Sequence, residues 1–200
     1  STRTPWIARW PGVIAQGSVD TRHFVSGIDY MPTILEAAGM MPPPDMDGSS
    51  FLPVLRGEEQ RGRDVGFTEF HQTAARRVYP MRCVQNRKYG YIFNPWSDGE
   101  RIFRNESQSG RTFKAMQEAA ETDERIAARC ELFLKRVGEE LYDFENDPDA
   151  LENLIDDPKH ADVLNSLRSQ LAEWMERTND PALEAFRNRE SRQALDVFVS

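Results

Sequence analysis

The part of the sequence with the clearest potential for chemistry is an acid-free stretch, residues 70–97. It contains no Asp or Glu, in a chain whose formal net charge is −8. Its five cations are Arg76, Arg77, Arg82, Arg87 and Lys88. Cations without nearby carboxylates leave a positive field that an anionic ligand can use, and His71 stands beside them. The alternative is a solvated basic hairpin whose charges pair with acids from elsewhere in the fold.

A complete active site is not visible in the sequence. There is no nucleophile elbow, zinc-protease motif, phosphate loop or dinucleotide fingerprint. The three histidines, His23, His71 and His160, lie far apart, and none stands at metal-ligand spacing. Cys83 and Cys130 are too few for a disulfide framework or a paired-cysteine metal site. We therefore expect structural roles for His23 and Cys130 and a solvent-exposed position for His160, in the first turn of a surface helix. Only His71 is kept as a candidate for ligand contact.

Composition restricts the class of protein further. Hydrophobic residues make up 39% of the 200 residues and charged residues 29%, which is typical of one globular domain or two small ones. A net charge of −8 and a pI of about 5.0 argue against a general nucleic-acid binder, which should be basic on a whole face. No apolar run reaches the length of about 18 residues that a membrane span needs. The chain opens almost directly on an apolar segment, without a signal peptide, and this suggests a piece of something longer.

The elements before residue 60 predict the end of an α/β sheet. Residues 5–10 are apolar and indicate a buried strand, closed by a Pro-Gly turn. A helix follows, with Asp29 as its cap and Pro32 in its first turn. Its apolar side is expected from Ile34, Leu35, Ala37 and Ala38, and Gly39 ends it. A lone strand has no partner, so this part resembles the last unit of a larger sheet.

From residue 61 onward the pattern predicts a separate α+β subdomain, because the polar residues 58–64 mark a boundary. Strands are predicted over residues 65–70, 81–85, 89–93 and 140–144. The rings of Tyr89, Tyr91 and Phe93 fall on one strand face, which predicts core packing. Helical spacing covers residues 112–137, and the clearest helix runs from Pro158 to about residue 178. The tail after Pro181 is polar, with one apolar segment that could dock or fray.

Four motifs, in order, resemble the C-terminal portion of the type I sulfatases. The first, Arg3 to Gly12, is similar to the family's RxPxIxxWPG strand. Asp29 to Gly39 is similar to its DxxPTxLxxAG helix, and Asp47 to Gly57 to the following DGxSLLPLLxG segment. Residues 140–154 are similar to the ELYDLxxDPxExxNL signature. Within the family, the sequence YPMRCVQ at residues 79–85, after a Phe-His pair, resembles the heparan N-sulfatases, or sulfamidases.

This resemblance implies an alkaline-phosphatase-like α/β fold of which this chain is a C-terminal fragment. Residues 1–60 would finish the large α/β domain, and residues 61–200 would form a small antiparallel sheet packed with a long C-terminal helix. In that family, a formylglycine made from a C/S-x-P-x-R motif and a calcium ion carry out the reaction. Neither cysteine of this chain stands in such a motif. The resemblance therefore implies no catalytic residue and no metal ligand in this chain, and a parent protein that holds both.

The resulting interpretation is a sulfatase fragment that closes one side of a substrate pocket. The candidate substrate-binding residues are His71, Arg76, Arg77 and Arg82. The expected partners are a sulfated sugar and the N-terminal sulfatase domain, with neither nucleic acid nor membrane, and the resemblance implies an exported protein. Two alternatives remain at this point. One is a phosphatase or phosphonate hydrolase of the same superfamily, and the other is a non-catalytic module that binds sulfated glycan or a partner chain.

Overall fold

The computed structural model describes residues 4–200, so Arg3 of the first motif lies outside the described residues. The chain divides into two compact units, residues up to Gly66 and residues Phe67–Ser200. The predicted division into residues 1–60 and 61–200 concerns a large domain that this chain would contain only in part, and it stays a prediction. No helix in the described range is long and apolar enough to cross a membrane.

The first unit contains two short helices, α1 (Tyr30–Ala37) and α2 (Leu52–Leu55). Gly39 follows α1 with a positive φ of 74°, as its predicted role as helix end requires. The strand predicted over residues 5–10 is absent from the described residues, because no neighbouring strand is there to pair with it. The predicted apolar side of α1 is also not buried here, since Ile34 is 62% exposed.

A buried ion pair organises the first unit. Asp29 occupies the predicted N-cap position of α1, but its side chain makes no capping hydrogen bond to that helix. Its carboxylate instead accepts the backbone N–H groups of Ser26 and Ser49 and pairs with Arg63 at 3.0 Å. Arg63 also donates to the carbonyl oxygens of Ser49 and Ser50. Arg63 thus lies after the predicted boundary at residue 60 but packs with residues that precede it. Sequence inspection missed it, because a polar segment gives no sign of a distant partner.

The glycine of the Asp-Gly motif is required by a close backbone approach. A Cβ atom at Gly48 would lie 2.1 Å from the carbonyl oxygen of Ile28. The next segment is held by Thr33, whose hydroxyl accepts the N–H of Phe51 at 3.0 Å and donates to Asp29 O at 2.6 Å. The helix motif and the Asp-Gly motif are therefore two halves of one packed structure.

The second unit is built on an antiparallel sheet in which all the predicted strands form. Its strands are β1 (Gly66–Gln72), β2 (Val78–Gln85), β3 (Tyr89–Phe93) and β4 (Glu139–Asp143), paired in that order. The register places Arg82 opposite Phe93 and Val84 opposite Tyr91. β1 and β4 are the two edge strands, and the second half of β1 is exposed. An exposed edge leaves side chains of β1 accessible to a ligand.

Five helices complete the second unit. The region predicted as one helical stretch forms two helices, α3 (Arg111–Ala119) and α4 (Glu124–Lys135), because Asp123 caps the second with its side chain. The long helix is α5 (Ala161–Arg177), preceded by Asp157 and Pro158 as predicted. The tail forms α6 (Leu183–Arg187) and α7 (Arg192–Val199). Phe186 and Leu195 are buried, so these tail helices dock on the fold.

The two faces of the sheet have different linings. On the face covered by α5 and α6, Phe67 stacks on Trp174 with centroids 5.2 Å apart, and Phe186 packs edge-on against Phe93. On the other face, Phe103 contacts the rings of Tyr79 and Trp96. Tyr91 and Phe93 are buried, which confirms their predicted core role, whereas Tyr89 is only half-buried.

Candidate functional site

His71 stands on the exposed end of edge strand β1, and half of its side chain is open to solvent (50%). Residues Glu69 and His71 are two apart on the strand, so they lie on the same sheet face as Phe67. The imidazole Nε2 atom lies 3.6 Å from a carboxylate oxygen of Glu69. Glu69 immediately precedes the acid-free stretch, so the positive field around His71 is weaker than the sequence suggests.

Arg82, on β2, lies beneath His71 and is fully buried. Its Nε and Nη2 atoms donate to the two carboxylate oxygens of Asp180, the Nη2 bond being 2.8 Å long, and Nη1 donates to Met81 O at 2.9 Å. Asp180 also accepts the backbone N–H of Ala182 at 2.9 Å. This is a two-pronged, charge-assisted pair in an apolar environment. Burial favours a positioning role for Arg82 over the direct ligand contact expected from the sequence.

In the neutral form of His71, the contact with Arg82 selects one imidazole tautomer. Arg82 Nη2 lies 3.3 Å from His71 Nε2. A guanidinium can only donate, so a hydrogen bond here makes Nε2 the acceptor and leaves the proton of the neutral ring on Nδ1. Asp180 orients Arg82, and Arg82 in turn orients His71. The exposed side of the ring is thus held in one orientation before any ligand arrives.

The charge of the supporting carboxylate is stabilised by this arrangement. Burial raises the pKa of Asp180, but the hydrogen bonds from Arg82 and from Ala182 N–H, with the positive charge of Arg82, outweigh burial. The pKa of Asp180 is therefore below its ordinary value of 3.8. Asp180 is therefore ionised at neutral pH and keeps its negative charge beside Arg82.

Arg76 and Arg77 stand at the tip of the hairpin that joins β1 to β2. Thr73 N–H donates to Arg77 O at 2.9 Å, and Arg76 N–H donates to Thr73 O at 2.9 Å, which closes a tight turn. Arg76 adopts the left-handed conformation, with φ at 58°, in a position where glycine is preferred. Both arginines are exposed, and no described residue forms an ion pair with either. They remain candidate anion contacts.

The backbone of Arg76 gives a stability prediction. Holding a non-glycine residue in the left-handed region costs about 1–2 kcal/mol of folding free energy. Glycine avoids this cost, but part of the gain is offset because glycine has a larger conformational entropy in the unfolded state. We expect Arg76→Gly to raise the free energy of unfolding by about 0.5–1 kcal/mol in urea denaturation. The matched control is Arg87→Gly in the β2–β3 turn, at a position without positive φ, which should lower it. Equal destabilisation by both variants would contradict the backbone explanation.

The remaining candidate groups have structural surroundings. His23 is buried and bonded to Asp20 and to the backbone N–H of Gln60, as expected for a structural histidine. His160 is less exposed than predicted, because it pairs with Asp157 and packs edge-on against Tyr89. Cys130 is buried, which confirms its predicted core role. Burial raises the pKa of the Cys83 thiol to about 11, so it is a poor nucleophile.

Asp180 is the residue of this site that the sequence analysis missed. It lies in the Asn-Asp-Pro turn after α5, which reads as an ordinary helix exit, and it is 98 residues from Arg82 in the chain. The one available signal was that Arg82 is a charged residue among apolar ones on a central strand. A charge at such a position needs a buried partner of opposite sign. Across residues 4–200, no group of three His, Cys, Asp or Glu side chains could hold a metal ion.

This fold, a small antiparallel sheet with a long helix on one face, is that of the C-terminal region of sulfatases. A solved 2-O GAG sulfatase matches 80% of this chain and 26% of its own, with a TM-score of 0.52 and 25% identity. Residues 1–103 match the family described as N-sulphoglucosamine sulphohydrolase, C-terminal. The chain belongs to this family, which confirms the resemblance seen in its motifs.

Curated relatives agree with this assignment. An ulvan-active sulfatase of Formosa agariphila is 30% identical over 180 residues, which are 89% of this chain and 34% of the relative. The human N-sulphoglucosamine sulphohydrolase is 29% identical over 169 residues, or 79% of this chain and 33% of that protein. The chain thus spans about a third of the length of the curated relatives it matches.

Proposed function

We propose that this chain is the C-terminal part of an enzyme that hydrolyses sulfate ester or sulfamate groups, on a heparan-type glycan such as one bearing N-sulfoglucosamine. The observation that carries the proposal is the family match over residues 1–103, because this range includes all four candidate residues, His71, Arg76, Arg77 and Arg82. The human relative of the same family acts, by its name, on N-sulphoglucosamine. This similarity supports the substrate that we propose.

In the proposed enzyme, this chain supplies a wall of the substrate pocket. His71 presents its Nδ1–H side to the sugar or its anionic group, in an orientation set by Arg82 and Asp180. Arg76 and Arg77 offer guanidinium groups to sulfate or carboxylate oxygens, with which they can form paired hydrogen bonds. Arg82 acts by positioning His71. These residues bind and orient, and none of them serves as the nucleophile.

The nucleophile and metal of the proposed reaction belong to the parent protein. Calcium and formylglycine would supply Lewis-acid and nucleophilic chemistry there. The described residues do not fit a calcium site, since they contain no suitable group of three ligands. We therefore assign to this chain no reaction step that uses calcium or formylglycine. Export to an extracytoplasmic compartment is also part of the proposal, and it rests on the family resemblance.

The first unit supports a covalently attached or associated N-terminal partner domain. Three large apolar side chains of one segment are exposed in the described chain, Ile28 at 56%, Met31 at 56% and Ile34 at 62%. An apolar surface of this kind is characteristic of a protein interface. The matched residues make up only 34% and 33% of two curated relatives, so the preceding part of a parent protein is the occupant we propose.

The proposal is tested by comparing the full-length protein with this chain alone. We expect the full-length protein to release sulfate from N-sulfoglucosamine or an aryl sulfate, and this chain alone to release none, because it lacks a nucleophile. Ion chromatography of released sulfate is the measurement. Faster turnover of a phosphonate ester by the full-length protein would favour a phosphonate hydrolase. Glycan binding without any turnover by the full-length protein would favour a non-catalytic module, and turnover by this chain alone would refute the fragment interpretation.

A further inference from the structure

A second basic feature lies next to the hairpin tip, in a groove that the sequence analysis did not anticipate. Arg77 comes from the β1–β2 turn, and Arg104 comes from the loop that precedes α3. Both line an open groove of about 460 Å³. Its polar lining is completed by Asn105, Glu106, Gln108 and Ser109. Residues 77 and 104 are thus brought together by the fold, although they belong to different elements.

The Arg104 side of the groove is held rigidly by an aromatic cluster. Arg104 N–H donates to the Tyr79 hydroxyl at 3.1 Å, and that hydroxyl donates to Ile102 O at 2.9 Å. The ring of Phe103 packs against the ring of Tyr79 with centroids 4.7 Å apart. The backbone N–H of Phe103 donates to Leu134 O at 2.6 Å. These contacts with Tyr79 and Leu134 hold the backbone of residues 103 and 104 in place before a ligand binds.

The groove has unused capacity for an anion. In the part of the chain that the structure describes, the guanidinium groups of Arg77 and Arg104 have neither an ion-pair partner nor a hydrogen-bonded acceptor. The polar neighbours are already ordered: Asn105 Oδ1 accepts Ser107 N–H, and Gln108 donates to Phe103 O. Glu106 also lines the groove without pairing with either arginine, and its charge opposes anion binding.

We infer that this groove binds a second anionic group, a sulfate or a carboxylate, of an acidic glycan whose reacting unit lies at His71. The choice of an acidic glycan rests on the proposed function, whereas the anion preference rests on Arg77 and Arg104 alone. A guanidinium group can form two parallel hydrogen bonds to two oxygens of a sulfate or of a carboxylate. The groove therefore favours an oligosaccharide over a single sugar, because only a longer chain presents a second anionic group.

The test uses Arg104→Ala in the full-length protein, because Arg104 has no part in the proposed function. Calorimetric titration with size-defined heparin oligosaccharides is the measurement. We expect Arg104→Ala to weaken tetrasaccharide binding about tenfold and to leave disaccharide binding unchanged. The matched control is Arg87→Ala, the same charge change at the opposite end of β2, which should alter neither affinity. Glu106→Gln should tighten tetrasaccharide binding.

Further arms identify the anion and exclude alternatives. Desulfated heparin keeps its carboxylates, and carboxyl-reduced heparin keeps its sulfates. Arg104→Ala should weaken binding only of the form that keeps the group recognised by the groove. Arg104→Lys keeps the charge without the paired geometry, and it should lose part of the affinity even if the alanine variant folds poorly. Equal losses in Arg104→Ala and Arg87→Ala, or equally tight binding of polyglutamate or duplex DNA, would overturn the inference as nonspecific electrostatics.

These outcomes separate the two proposals. Loss of tetrasaccharide affinity in Arg104→Ala, in a full-length protein that releases no sulfate, would support the groove and refute the proposed function. Sulfate release with a tetrasaccharide affinity that is unchanged in Arg104→Ala would refute the groove and leave the proposed function in place. A thermal unfolding midpoint equal to that of the unaltered protein shows that the variant is folded, which is expected because the Arg104 side chain is exposed.

Discussion

Asp180→Asn is expected to lower the free energy of unfolding by about 3–5 kcal/mol, the largest stability effect we predict for this chain. The substitution removes the buried carboxylate that binds both Nε and Nη2 of Arg82, whose side chain is 0% exposed. Among residues 4–200, the remaining acidic neighbour of Arg82 is Glu69, which is 3.8 Å from Nε and half exposed, so it replaces little of the lost interaction. A guanidinium that is buried in the fold cannot regain its hydration when this partner is lost. Equilibrium unfolding in urea, monitored by tryptophan fluorescence, is the measurement.

The control for this prediction is an exposed ion pair in α6. Glu184→Gln makes the same chemical change beside Arg187, where both side chains are largely exposed, and it should cost less than about 0.5 kcal/mol. The double variant Arg82→Met with Asp180→Leu should recover part of the stability, because no charge is then left buried. A loss in Asp180→Asn as small as in Glu184→Gln would show that water reaches Arg82 in solution.

The same pair makes stability depend on acid pH. The pKa of Asp180 is lower in the folded chain than its ordinary value of 3.8. Its contribution is therefore fully present above that value, and it is lost as the pH falls through the lowered pKa of the folded state. Asp180→Asn should remove this part of the pH dependence, so its stability curve below pH 4 should be flatter than that of the unaltered chain.

His71→Gln in the full-length protein is expected to lower kcat/KM for N-sulfoglucosamine about 100-fold, the largest effect on activity that we predict. Loss of a hydrogen bond to a charged or developing anionic group costs about 1.5–3 kcal/mol, which corresponds to a loss of this order. Gln keeps a polar side chain but cannot reproduce the ring geometry that Arg82 fixes at 3.3 Å. Steady-state kinetics of sulfate release is the measurement.

His160→Gln is the matched control for this experiment. His160 undergoes the same substitution at the start of α5, where it contacts Asp157 and Tyr89, and its activity should stay within about twofold of the unaltered protein. A His71→Gln variant that is folded and retains kcat/KM within twofold would remove His71 from the proposed pocket. The groove arginines would then have to be considered as the main contacts of this chain with substrate.

Much of the fold followed from local sequence patterns. The alternation in residues 89–93 and 140–144 predicted β3 and β4, and the apolar stripe after Pro158 predicted α5, because a two-residue or 3.6-residue period reflects one buried face. Residues 5–10 were an exception. An apolar run predicts burial, but a strand also needs a partner, and the described chain contains none for it.

The sequence by itself determined the family, the order of the strands and helices, and the acid-free stretch containing His71. These properties are written in short motifs and periods, so they can be seen without coordinates. Only the tertiary structure decided that Arg82 is buried against Asp180, that Arg63 pairs with Asp29, and that Arg77 and Arg104 share a groove. The physical reason is that the interaction between two charges depends on their distance in space and not on their separation along the chain. Arg82 and Asp180 are 98 residues apart, so their pairing leaves no local pattern in the sequence.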